Sequence, residues 1–128
     1  MFEKILIVDD NESLRKIIIF HLRKLGWEAT SVSSGREAIE SIQCVHYDLI
    51  LLDINMLDMD GYETAIGIRS LEQQLGREPV TIIAHTAGDL DRDKCLTSGM
   101  NDGMEKQALL DDLRCLVEKW LEQSAQRP

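Results

Sequence analysis

The feature that most restricts the fold of this chain is the alternation of short apolar runs with helical patterns. Residues 4–8 and 49–52 are almost wholly aliphatic and of strand length. Such runs are typical of strands buried on both faces. Between them, apolar residues recur every three to four positions, the period of an amphipathic helix. This alternation predicts a parallel sheet with helices on both faces and right-handed crossovers.

The sequence divides into five strand–helix units. The predicted strands cover residues 4–8, 27–32, 48–52, 80–84 and 101–105. The predicted helices begin at Asp10 or Asn11, at Ser34, near Tyr62, at Gly88 or Asp89, and at Leu109, and glycines at 26, 76 and 99 mark three of their ends. We expect one domain over residues 1–123 and a frayed tail over residues 124–128.

The charge and composition exclude several classes of protein. With 14 basic and 23 acidic residues the net charge is −9, whereas a nucleic-acid surface needs stripes of Lys and Arg. We therefore expect no direct nucleic-acid ligand. The chain has no run long enough for a membrane span and no N-terminal signal pattern, so we expect a cytoplasmic protein without membrane contact. Its three widely spaced cysteines predict reduced thiols.

Three acidic residues stand where the first and third strands end. Asp9 and Asp10 follow the first apolar run, and Asp53 follows the third. Parallel strands bring their carboxyl ends to one edge of the sheet, where ligands of such sheets bind. Three carboxylates in one crevice repel each other, so the pattern indicates a divalent cation and phosphate chemistry. Mg²⁺ suits oxygen ligands, although capping of the first helix is a second role for Asp9 and Asp10.

With acidic residues at the ends of its first and third strands, the chain resembles the receiver domain of two-component response regulators. The matching positions are Asp9 and Asp10 after strand 1, Asp53 after strand 3, Thr86 after strand 4 and Lys106 after strand 5. The surrounding segments 52–56, 59–62, 86–87 and 99–102 also match, and the resemblance covers essentially the whole chain. It implies an α/β, flavodoxin-like (βα)5 fold, a doubly wound sheet of five parallel strands in the order 2-1-3-4-5.

The resemblance implies a phosphoacceptor and a metal site. Asp53 is the implied acceptor, since a carboxylate can take a phosphoryl group from phosphohistidine and form an acyl phosphate. The implied Mg²⁺ ligands are Asp10, Asp53 and the backbone carbonyl of Asn55, with Asp9 acting through water.

Further roles follow from the same resemblance. Lys106 stabilises the transferring phosphoryl group with a fixed positive charge. Thr86 and Ala87 belong to the switch: the threonine hydroxyl moves towards the phosphoryl group, and the following loop and helix 4 move with it. Asn55 and Gly88 help to set the lifetime of the phosphoryl group.

Three positions depart from the family pattern. Leu57 and Gln107 stand where proline is usual, and Gly103 stands where an aromatic residue is usual. The bond after the lysine is typically cis in the family, but a cis bond before a non-proline residue costs about 3–4 kcal/mol. A trans bond is expected to displace Lys106. Gly103 excludes coupling of Thr86 to an aromatic ring, so the output must travel another way or be weak.

The first helix carries more apolar residues than one buried stripe requires. The surplus could dock the helical bundle that carries the phosphohistidine, with Leu14, Ile17 and Ile18 as candidate contacts. A wide buried face against the sheet explains the same pattern, and the sequence leaves both interpretations open.

Three functions fit these residues to different degrees. The expected one is a phosphoacceptor switch, not an enzyme, that is supplied by a histidine kinase or histidine-phosphotransfer protein and is a monomer or weak dimer. An aspartyl-phosphate phosphatase of the haloacid-dehalogenase type needs a second Asp where Asn55 stands. A receiver-like adaptor that binds without phosphorylation is favoured by Gly103 and Gln107, but the complete acid triad argues against it. We expect a stand-alone receiver, or the receiver part of a larger regulator or hybrid sensor kinase.

Overall fold

The structure, a computed structural model, describes residues 3–108 and 110–125. The element bounds are β1 Lys4–Val8, α1 Glu12–Lys24, β2 Glu28–Val32, α2 Gly35–Cys44, β3 Leu49–Asp53, α3 Gly61–Leu75, β4 Thr81–Thr86, α4 Arg92–Thr97, β5 Asp102–Glu105 and α5 Leu110–Ala125. Leu109, the predicted start of the last helix, lies outside the described residues. The predicted tail is helical as far as Ala125, and its remainder, 126–128, also lies outside them.

The five strands form one parallel sheet in the order β2-β1-β3-β4-β5. Val8 pairs with Leu52, and Asp53 pairs with His85, so β1, β3 and β4 end close to the same line. We call this line the carboxyl edge of the sheet. The predicted doubly wound fold is therefore confirmed.

The two faces of the sheet are covered by different helices. Alternate residues of β1, such as Leu6 and Val8, pack under α2, α3 and α4, while Ile5 and Ile7 pack under α1 and α5. Every residue of β3 is buried, as its continuous apolar run predicts. Among the described residues, no helix combines the length and the apolar character needed to cross a bilayer.

Helix starts are set by side chains that cap the first turn. The Asn11, Ser34 and Asp60 side chains accept hydrogen bonds from backbone N–H groups one turn later, at the starts of α1, α2 and α3. The fourth helix corrects the sequence prediction, because it begins at Arg92 and not at Gly88 or Asp89. Asp91 is its cap and accepts from the Lys94 N–H at 3.0 Å. Residues 87–91 are therefore a loop after β4.

Candidate functional site

The carboxyl edge brings the predicted acids together. Asp9, Asp10 and Asp53 each offer a carboxylate oxygen, and these oxygens lie within 4.8 Å of one another. Asp9 is 1% exposed and Asp53 is 2% exposed, whereas Asp10 is open to solvent. The Lys106 ammonium lies 2.9 Å from Asp9 Oδ2 and 3.2 Å from Asp53 Oδ1. One cation thus bridges the two buried carboxylates.

Backbone donors hold the two buried carboxylates in place. Asp9 Oδ1 accepts from the Asn11 N–H at 2.9 Å, and Asp53 Oδ1 accepts from the Asn55 N–H at 3.3 Å. Each bond reaches two residues along the chain, as in an Asx turn, and turns the backbone away from the strand end. The aspartates are therefore positioned by the loops that begin at them.

Arg15 belongs to this site, although sequence analysis did not identify it. Its guanidinium donates to the Asp9 backbone carbonyl at 2.8 Å. The signal was present in the sequence, since Arg15 lies one turn into α1 and helical side chains point towards the helix N-terminus. Its positive charge faces the end of β1.

Gly61 allows α3 to approach the end of β3. A Cβ atom at this position would lie 2.4 Å from the Asp53 carbonyl oxygen and 2.8 Å from Ile54 Cα. The Gly61 N–H donates to the Ile54 carbonyl at 2.9 Å. The helix start therefore packs directly on the backbone of the central aspartate, a contact that only glycine permits.

Burial controls the electrostatics of the site. Desolvation and the neighbouring Asp9 raise the pKa of Asp53 to about 6, against the opposing effect of Lys106. Burial alone would lower the pKa of Lys106, but contacts with Asp9 and Asp53 outweigh it, and the pKa lies above its ordinary value. Burial and the Lys106 charge lower the pKa of His85 to about 4. At neutral pH the Asp53 carboxylate is therefore largely ionised and the His85 imidazole is neutral.

The donor set fits a hard divalent cation. Its members are carboxylates at the carboxyl ends of the adjacent strands β1 and β3, and two of the three are almost fully buried. Asp9 Oδ2 is buried and has no aligned hydrogen bond among the described residues, so its 2.9 Å contact with Lys106 is an ion pair. Buried carboxylates in this number need more positive charge than one ammonium supplies. Oxygen ligands of this kind suit Mg²⁺.

Thr86 ends β4 and is 3% exposed. Its hydroxyl oxygen accepts from Asn55 Nδ2 at 3.4 Å and from the Gly88 N–H at 3.3 Å. Both bonds are long, so they hold the hydroxyl only weakly. The predicted switch and lifetime residues Thr86, Asn55 and Gly88 are thus in contact, and Ala87 is exposed in the same loop.

Lys106 reaches the site although a trans bond joins it to the next residue. The described residues contain no cis peptide bond, so Lys106 and Gln107 are joined in trans. The Lys106 N–H donates to the Thr86 carbonyl at 2.7 Å, which continues the β4–β5 pairing past the end of β5. This bond positions the lysine, and the expectation that a trans bond displaces it was wrong.

The candidate contacts on α1 divide between surface and core. Ile17 is 54% exposed, Phe20 is 68% exposed, and Leu14 is half-buried. Ile18 is 1% exposed and packs in the core with Leu22. This corrects the prediction for Ile18, which faces the sheet because it lies four residues before Leu22 on the buried stripe.

Comparisons with known proteins agree with this geometry. The sequence model of the family described as "Response regulator receiver domain" matches residues 5–118. The chain is 40% identical over 121 residues to hybrid signal transduction histidine kinase B of Dictyostelium discoideum, covering 87% of this chain and 6% of that protein. It is 34% identical over 120 residues to the CAI-1 autoinducer sensor kinase/phosphatase CqsS of Vibrio cholerae, covering 92% of this chain and 17% of that protein.

Solved structures show the same fold. The receiver domain of a sensor histidine kinase from Pseudomonas aeruginosa, solved with a magnesium ion in its active site cleft, superposes with a TM-score of 0.82 at 35% identity, covering 95% of this chain and 99% of that one. Chemotaxis protein CheY4 of Vibrio cholerae superposes with a TM-score of 0.85 at 25% identity, covering 93% and 98%.

The chain belongs to the response regulator receiver domain family of two-component signalling systems. It spans a small part, 6% and 17%, of the two curated relatives named above.

Proposed function

We propose that this receiver domain is a phosphoacceptor switch that takes a phosphoryl group from phosphohistidine onto Asp53. The observation that carries the proposal is the ammonium of Lys106, which lies 2.9 Å from Asp9 and 3.2 Å from Asp53 at the carboxyl edge. A nucleophilic carboxylate, a fixed cation and further acids stand together there, as phosphoryl transfer requires. The donor is a histidine kinase or a histidine-phosphotransfer protein.

The proposed transfer replaces one phosphorus bond with another. An Asp53 carboxylate oxygen attacks phosphorus, the new P–O bond forms as the P–N bond to the imidazole breaks, and the imidazole nitrogen keeps that electron pair. Lys106 balances the negative charge of the phosphoryl oxygens. Water later attacks phosphorus, which releases inorganic phosphate and restores the Asp53 carboxylate. The domain accepts and loses the group and is not an enzyme for another substrate.

The metal proposed for this site is Mg²⁺. Asp10, Asp53 and the Asn55 backbone carbonyl would hold it, with Asp9 acting through water. When bound, it would neutralise charge between the carboxylates and the phosphoryl oxygens. The magnesium ion of the 35% identical Pseudomonas receiver supports this assignment.

The switch is assigned to Thr86 and its loop. After transfer, the Thr86 hydroxyl donates to a phosphoryl oxygen, and the loop containing Ala87 and Gly88 follows. Its present bonds are weak enough to be exchanged for a charge-assisted bond. Asn55 and Gly88 border the approach to the acceptor and are proposed to influence the phosphoryl lifetime.

The donor is proposed to dock on the exposed side of α1. Ile17 and Phe20 form an apolar patch with Leu110, and Lys16 and Lys24 line the same cavity. Basic groups here contrast with the net charge of −9 for the whole chain. The surface therefore suits a helical bundle with apolar and acidic residues around its phosphohistidine, with Leu14 at the edge of the contact.

A receiver-like adaptor without phosphorylation is the second candidate. Gly103 and Gln107 favoured it in the sequence, but Lys106 contacts both buried carboxylates despite Gln107. We therefore prefer the switch, operating in the cytoplasm as a monomer or weak dimer over residues 1–123.

Intact mass after incubation with acetyl phosphate tests the acceptor assignment. We expect one added phosphoryl group that requires Mg²⁺ and is absent from Asp53→Asn. Transfer from a phosphorylated histidine protein tests docking. Phe20→Ser should slow that transfer and leave labelling by acetyl phosphate unchanged. Failure with every donor would favour the adaptor.

A further inference from the structure

The side chain of Leu90 occupies the space that a side chain on residue 103 would fill. A Cβ atom built on Gly103 would lie 2.7 Å and 2.9 Å from the two methyl carbons of Leu90. Leu90 belongs to the loop 87–91 and packs, half-buried, against the core under α4. The contact between α4 and β5 therefore depends on a side chain from the loop that follows Thr86.

A cavity of about 140 Å³ adjoins this contact. Leu90, Cys95, Leu96 and Gly103 contribute its apolar lining. Across the cavity, Arg92 at the start of α4 pairs with Asp102 on β5 at 3.4 Å. We call this space the α4–β5 groove. Cys95 is 3% exposed, so this lining residue is almost inaccessible to solvent in the structure.

The Thr86 hydroxyl is in weak contact with the loop that carries Leu90. Gly88, two residues before Leu90, donates its N–H to that hydroxyl at 3.3 Å. Asp91, one residue after Leu90, caps α4. A movement of the hydroxyl therefore removes the acceptor at one end of a short loop while the other end remains tied to a helix.

We propose that Leu90 is a latch that closes the α4–β5 groove in the resting state and opens it when Thr86 turns to a phosphoryl group. The proposal rests on the proposed function, because the phosphoryl group on Asp53 supplies the new acceptor. Once Gly88 loses the hydroxyl, the loop shifts and Leu90 leaves Gly103. Because Gly103 has no side chain to fill the space that Leu90 vacates, the groove opens to solvent at Cys95.

Cys95 supplies a direct reporter of the latch. Cys44 and Cys115 are exposed, so both are replaced by serine, which leaves Cys95 as the single thiol. Burial raises the pKa of the Cys95 thiol, and alkylation is therefore slow in the closed state. Alkylation with iodoacetamide is followed by intact mass at constant pH, with and without acetyl phosphate and Mg²⁺. The same spectrum counts phosphoryl groups and thiol labels on each molecule.

We expect Cys95 to be alkylated roughly tenfold faster in phosphorylated molecules than in unphosphorylated ones, since a buried thiol reacts only from open states. Equal rates for the two populations would overturn the latch and leave the proposed function standing. Absence of any phosphoryl group would overturn the proposed function and the phosphoryl-driven opening with it.

Two variants test the closed state without phosphorylation. Leu90→Ala removes the latch, and Gly103→Ala forces Leu90 aside. In both variants Cys95 should therefore be alkylated rapidly, before and after phosphorylation. Leu75→Ala is the matched control, because Leu75 is 48% exposed at the end of α3 and should keep the parent rates. Thermal unfolding confirms that each variant is folded. Slow alkylation of folded Leu90→Ala would show that Leu90 does not close the groove.

Discussion

The Lys106 ammonium lies 3.2 Å from Asp53 Oδ1, although Lys106 is joined to Gln107 by a trans peptide bond. Its backbone N–H is fixed by the Thr86 carbonyl at 2.7 Å. The extended pairing of β4 with the end of β5 therefore places the lysine, and its long side chain covers the remaining distance. Gln107 in place of the usual proline is therefore compatible with the contact between the cation and the acceptor.

Asp53→Asn should stabilise the metal-free protein while it abolishes phosphorylation. The folded pKa of about 6 lies above the ordinary 3.8, so the ionised carboxylate destabilises the fold at neutral pH. Removing its charge should raise the free energy of unfolding by about 1–3 kcal/mol. Urea unfolding in EDTA measures the change, and Asp111→Asn, whose side chain is 81% exposed, is the control. A less stable Asp53→Asn protein would contradict the electrostatic account.

Stabilisation by Mg²⁺ should depend on pH through Asp53. Because the folded pKa is raised from 3.8 to about 6, the metal-free fold gains stability as pH falls through this range, when the carboxylate is protonated. Protonation removes a metal ligand, so the Mg²⁺-induced rise in Tm should be clear near about pH 7.5 and largely lost near about pH 5. Asp10→Ala should reduce the rise at neutral pH. A rise that is equal at both pH values would exclude Asp53 as a ligand.

Protonation of His85 should change the stability of the fold in the direction opposite to protonation of Asp53. Its folded pKa of about 4 lies below the ordinary 6.5, so the unfolded chain binds the proton first, and stability falls as pH falls between these values. The loss should reach roughly 2–3 kcal/mol. It is best measured by urea unfolding of Asp53→Asn, which lacks the opposing carboxylate. Adding His85→Gln should flatten the pH dependence, whereas adding His46→Gln, at an exposed position, should not.

Lys106→Met should slow phosphorylation by acetyl phosphate about 10²-fold, because a preorganised charge is lost from the transferring group. The Asp9 and Asp53 carboxylates would also lose their shared cation, which should raise the pKa of Asp53 further. Intact-mass time courses at saturating Mg²⁺ measure the rate. Lys16→Met, at a side chain 76% exposed, should match the parent. An unchanged rate in Lys106→Met would remove the lysine from the proposed chemistry.

Gly61→Ala should destabilise the fold by about 1–3 kcal/mol. The added Cβ would lie 2.4 Å from the Asp53 carbonyl oxygen, and backbone atoms cannot move aside as a flexible side chain can. Gly88→Ala is the matched control, since a Cβ at Gly88 meets no atom within 4 Å. Urea unfolding compares the two, and equal stability would show that α3 can retreat from β3 without cost.

Much of the fold was predictable from the sequence because its signals are local. The continuous apolar runs of β1 and β3 reflect burial on both faces, and Asn11, Ser34 and Gly76 stand at helix boundaries where they were expected. The start of α4 was misplaced. Gly88 and Asp89 both suit a helix start, but it is the Asp91 side chain that caps the helix, by accepting from the Lys94 N–H. Competing caps a few residues apart differ too little in local energy for the sequence to separate them.

The sequence by itself determined the alternation of strands and helices and the aspartates at the ends of β1 and β3, because both depend on residues adjacent in the chain. Only the tertiary structure decided that Ile18 is buried while Ile17 and Phe20 are exposed. It also decided that Lys106 meets Asp53 and that Leu90 covers Gly103. These contacts join residues brought together by sheet pairing and helix packing. Their geometry follows from how whole elements fit, which no local pattern records.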